Sequence, residues 1–156
     1  MKKIQLFTRS VKRKTTGDPT KLLALQTSRD ITGSKNVKVK KRNVPKPLVK
    51  YIEKNMRMKF KKRPKLYTYE PKKGHKFKKK TMCGEWDGAS ITRFDIDSAK
   101  VKDTIIILPK SHYKDKRLKE NVLTHEIAET LAGQHSLIPG RVRRRSEINN
   151  FEHAVI

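Results

Sequence analysis

Acidic side chains are scarce: 15 Asp and Glu oppose 40 Lys and Arg across 156 residues, a net charge of +25. A chain of that sign repels itself unless a polyanion neutralises it, so the backbone of DNA or RNA is the expected partner. The scarcity is also uneven. Residues 1–80 hold 28 basic and 4 acidic side chains, a net of +24, whereas residues 81–156 hold 12 and 11, a net of +1. Cysteine is reduced to Cys83, which excludes an internal disulfide and fits a reducing compartment; an ordinary small side chain is the expected role. No apolar run approaches the roughly 20 residues of a bilayer span, and the basic segments lack a long apolar face, so no membrane association is expected. After Met1-Lys2-Lys3 only Ile4-Gln5-Leu6-Phe7 separate the terminus from Arg9, too short for the core of a secretory signal. The expected setting is the cytoplasm or a nucleoprotein or virion particle.

Residues 1–44 read as a basic, flexible, largely extended arm. Lys12-Arg13-Lys14 and Lys38, Lys40, Lys41 and Arg42 lie among Thr, Ser and Gly with no sustained period, apart from a helical turn or two around Leu22, Leu23 and Leu25. Pro45 and Pro47 punctuate the chain, and Leu48, Val49, Ile52, Met56 and Phe60 follow at helical spacing, predicting a helix over about 47–60. Lys61-Lys62-Arg63 comes next. Residues 64–70 alternate and favour a strand. Lys72, Lys73, Lys76, Lys78, Lys79 and Lys80 then crowd a basic loop, where Tyr67, Tyr69 and Phe77 could stack on unpaired bases, although half-buried strand positions explain the tyrosines better. These lysines and arginines are the candidate nucleic-acid contacts. Residues 83–88 mark a turn, Ser90–Asp97 alternates as a strand without fixing its buried face, and Thr104–Pro109 is a continuous apolar run suited to a strand buried on both faces. His75, His112 and His153 are expected at the surface, and Asp95, Asp97 and Asp103 at turns and strand ends. The predicted class is α+β: over residues 45–156, a helix, a three-stranded and mostly antiparallel sheet, a closing helix and a tail.

That closing helix holds the chemistry. Val122, Leu123, Ile127, Ala128, Leu131 and Ala132 recur at steps of three and four, Asp115 offers an N-terminal cap and Gly133 a stop, predicting a helix over 116–132. His125 and Glu129 lie four apart, on one face of that helix, and Glu126 sits beside them. Beyond Gly133 the chain is expected to turn, bringing in His135. Residues 146–153 suit a short helix that could carry Glu147 or His153 toward the site.

This stretch resembles the zincin metallopeptidases, whose His-Glu-x-x-His motif places two ligands and a general-base glutamate on one helix. His125-Glu126 match, Glu129 stands where the second histidine would be, and His135 falls at the third-ligand position of the metzincin branch, while Gly133 lies one position later than the metzincin glycine. A small helix-plus-sheet domain whose last apolar strand leads into the metal helix is also how minimal zincins are built. The resemblance implies a zincin-like domain with one zinc ion on His125, Glu129 and His135, or with Glu147 as the alternative third ligand, and Glu126 as the base. It further implies that a peptide substrate pairs with the 90–97 strand at the sheet edge. A similar ligand spacing occurs in a bacterial zinc-dependent endoribonuclease family acting on ribosomal RNA, from which Glu129 again departs. Two classes of function follow: a hydrolase, foremost a peptidase, tethered to nucleic acid by its basic arm, or a non-enzymatic nucleic-acid-binding protein of a virion or ribosome with a degenerate zincin-like domain.

Overall fold

The side chains of Ile105, Ile106, Ile107 and Leu108 are all fully buried. Successive strand residues face opposite ways, so only a strand covered on both faces buries such a run. A computed structural model, describing residues 18–77, 88–137 and 139–140, places it in β4 (Val101–Pro109) of a mixed sheet. The other strands are β1 (Val37–Arg42), β2 (Lys65–Pro71) and β3 (Ala89–Phe94). Their order is β1-β2-β4-β3, with β2 and β4 parallel and both edge strands antiparallel to their neighbours. The α+β class holds, but among the described residues the sheet has four strands rather than the expected three, around a central parallel pair.

The additional strand comes from the expected arm. Residues 18–42 are folded: α1 (Pro19–Thr32) is followed by β1. Local chemistry accounts for the helix. Asp18 Oδ1 accepts from the Thr20 amide at 3.0 Å, Pro19 occupies the first turn, and Gly33 at φ 65° closes the other end through its N–H to the Arg29 carbonyl. In β1, Val37 and Val39 are buried while Lys38 and Lys40 are exposed, a period of two concealed by the charge run.

Helices cover both sheet faces. On one, α1 sends Leu23 and Ala24 against Val37, Val39, Tyr67, Tyr69, Ile105 and Ile107. On the other, α2 (Lys46–Met56) and α4 (Lys116–His135) bury Val49, Ile52, Leu123, Ile127 and Leu131 against Leu66, Ile106 and Leu108. A short α3 (Lys110–Lys114) links β4 to α4, where Asp115 accepts from the Arg117 amide at 3.0 Å, the cap expected from sequence. Tyr67 and Tyr69 are core residues, which removes them as base-stacking groups; Phe77 packs on Tyr69 with ring centres 5.8 Å apart. His112, expected at the surface, is half-buried, and its Nδ1 is enclosed without a hydrogen-bond partner among the described residues. No helix among the described residues is long and apolar enough to cross a membrane.

Candidate metal centre on helix α4

Helical spacing brings His125 and Glu129 together: His125 Nε2 lies 2.8 Å from Glu129 Oε1, with side chains 55% and 20% exposed. Glu126 points elsewhere on the helix and is 8% exposed. Its Oε1 lies 3.2 Å from the point where a Cβ on Gly88 would stand, so glycine is what lets the chain start β3 against this carboxylate. Helix α4 packs beside β3 as well as β4. The outer side of β3 carries no strand among the described residues, leaving an antiparallel edge next to the helix face that bears Glu126.

His135 does not join this group. Helix α4 continues through Gly133, which lacks the positive φ of a terminating glycine, and ends at His135. Ten residues of helix separate His125 from His135 by about 15 Å at 1.5 Å per residue, too far for one ion. Long-range bonds explain the continuation. The fully buried Gln134 accepts from the Lys61 amide at 2.9 Å and donates to the Lys62 carbonyl at 2.8 Å and to Thr104 Oγ1 at 2.9 Å. His135 Nε2 donates to the Lys59 carbonyl at 2.7 Å, so that nitrogen is occupied. Ser136 then ends the helix, its amide and hydroxyl both directed to the Gly133 carbonyl.

Imidazole and carboxylate are zinc-ligand types, but a catalytic zinc site needs three protein ligands, and His125 and Glu129 supply two, with Glu126 directed toward Gly88 instead. No third His, Cys, Asp or Glu completes such a group among the described residues. The alternative ligand Glu147 lies outside them, as do His153, Cys83, Lys12, Arg13, Lys14, Lys78, Lys79 and Lys80.

The remaining basic candidates divide among three places. Lys38, Lys40 and Arg42 share one face of β1, with Lys41 on the other; Lys61, Lys62 and Arg63 lie in the α2–β2 connection; Lys72, Lys73 and Lys76 follow β2. Sequence reading missed the roles of Gly88 and Gln134, which depend on contacts far along the chain. No protein-family model, curated protein or solved structure matches the chain.

Proposed function

We propose that the protein is a metal-dependent hydrolase of zincin type, acting on peptides and held on nucleic acid by its basic surface. The observation that carries this reading is the 2.8 Å convergence of His125 and Glu129, with Glu126 turned toward Gly88 at the head of an edge strand. His125 and Glu129 would hold the ion, with Glu147 the remaining candidate for third ligand. Such an ion, when bound, supplies Lewis acidity and a water that ionises near neutral pH. Glu126 takes up the proton that the attacking water sheds. The outer edge of β3, which carries no strand among the described residues, offers N–H and C=O groups with which an extended peptide can form a further strand.

A second reading, a non-enzymatic nucleic-acid-binding protein with a degenerate zincin-like domain, is favoured by one observation: His135, the third ligand that the motif suggests, is committed to the Lys59 carbonyl. Hydrolysis of casein by zinc-supplemented protein separates the two. The hydrolase reading expects Glu126→Gln to lower the rate about 100-fold or more with fold and metal content unchanged. Equal rates in wild type and variant would favour the second reading.

A further inference from the structure

Alternate residues of β1 face the same side of the sheet, so Lys38, Lys40 and Arg42 project together, opposite Glu70, Thr68 and Leu66 of β2. With Lys110 they line a cleft of about 100 Å³ floored by Thr68. Four cations face one carboxylate there, and that carboxylate is already engaged: Lys110 Nζ lies 2.8 Å from Glu70 Oε2. The Lys110 hydrogen bond, and then the charges of Lys110, Lys38 and Lys114, hold the Glu70 carboxyl below its usual range. Arg42 is positioned without an acid. Its Nε donates to Thr68 Oγ1 at 3.1 Å and its guanidinium lies over the Tyr113 ring at 5.0 Å, a ring that also carries Lys119 Nζ at 4.1 Å. Among the described residues Arg42 forms no ion pair.

We propose that this cleft between β1 and α3 is a phosphodiester-binding site that seats a nucleic-acid backbone on the folded domain. Arg42 is held by a hydroxyl and a ring, so its remaining N–H groups and full charge stay available, and a planar guanidinium fork matches phosphate oxygens. Lys38 and Lys40 repeat at about 6.6 Å along the strand, a spacing commensurate with a regularly charged polymer. The overall +25 charge supports a polyanion over a compact acidic protein patch. Among the described residues no base-reading element accompanies the cleft, so binding is to backbone, with weak sequence preference. The proposal rests on the nucleic-acid half of the function above and is independent of the metal centre.

The test uses the full chain and a fluorescent mixed-sequence oligonucleotide, single-stranded and duplex, with affinity measured by anisotropy across a salt series. The triple variant Lys38→Gln, Lys40→Gln, Arg42→Gln is compared with Lys50→Gln, Lys54→Gln, Arg57→Gln, which removes equal charge from α2 and its C-terminal cap. Losing three phosphate contacts is expected to reduce the log–log salt slope by about 2 to 3, against less than about 1 for the α2 control. Circular dichroism establishes that each variant folds. Arg42→Lys, which keeps the charge and loses the fork, is expected to weaken binding severalfold with little change in slope, and it stands as the test if the triple variant unfolds. Equal losses in both triple variants would mean diffuse attraction and overturn the site, as would undiminished binding in the β1 variant. Wild-type protein that binds polyglutamate but neither oligonucleotide would overturn the partner class. Zinc content of the same preparations reports separately on the hydrolase reading.

Discussion

Gly88 leads into β3 where a Cβ would lie 2.6 Å from Leu108 Cδ2 and 3.1 Å from the Ile107 carbonyl oxygen. Leu108 is fully buried, so its side chain has little room to withdraw. Gly88→Ala is expected to cost about 1–3 kcal/mol of stability, measured by urea unfolding, and to displace Glu126. A second residue-scale effect concerns Tyr67, whose hydroxyl lies 2.6 Å from Thr20 Oγ1 and donates to Asp18 Oδ2 at 3.1 Å. Burial, followed by the Asp18 charge and hydrogen bond, pushes this phenol up to about 12 from 10.0. A raised folded value means that the stabilisation is complete below about pH 10 and lost as pH rises toward 12. Tyr67→Phe should lower stability near neutral pH by about 1 kcal/mol and flatten the alkaline decline between those two values, read by thermal melting across pH. Asp18 behaves oppositely: burial raises its carboxyl, but the bonds from Thr20 and Tyr67 and the Lys65 charge leave it lowered, so its contribution disappears as the solution becomes acidic.

At the scale of elements, β4 and the start of α4 were legible in the sequence because their signals are local. An unbroken apolar run specified a two-faced strand, and Asp115 specified a cap. The end of α4 was not. Gly133 carries a local stop signal, yet Gln134 bonds to Lys61 and Lys62 across more than 70 positions, and these contacts keep the helix going through His135. Strand β1 was hidden for another reason: Val37 and Val39 supply its buried face, but the intervening lysines dominate the composition. The pair His125 and Glu129 was legible from spacing alone, whereas the position of His135 depended on where the helix ended. Gln134→Ala removes a buried amide and leaves the Thr104 hydroxyl and the 61–62 backbone short of partners. It should cost about 2 kcal/mol or more. Hydrogen exchange at the amides of residues 133–135 should accelerate in that variant ahead of global unfolding.

At the scale of the molecule, the proposed phosphate cleft and the proposed peptide edge lie on different strands of one sheet. The β1 cleft lies at one edge of the sheet and β3 at the other, so nucleic acid and an extended peptide would use opposite edges. Residues 110–119 nonetheless contribute Lys110, Lys114 and Lys119 to the basic side, although the second half of the chain is nearly neutral overall. Binding at the cleft and hydrolysis at α4 are therefore expected to respond to separate mutations.

The most direct measurement is the zinc content of purified, zinc-equilibrated protein by elemental mass spectrometry, in wild type, His125→Ala, Glu129→Ala, His135→Ala and Glu147→Ala. Near-stoichiometric zinc is expected in wild type and in His135→Ala, because His135 lies about 15 Å along the helix from His125. Loss is expected in His125→Ala and Glu129→Ala, with Glu147→Ala deciding the third ligand. Wild-type protein that retains no zinc after excess metal is removed would contradict the metal centre, and the 2.8 Å contact would then be a helix-surface ion pair.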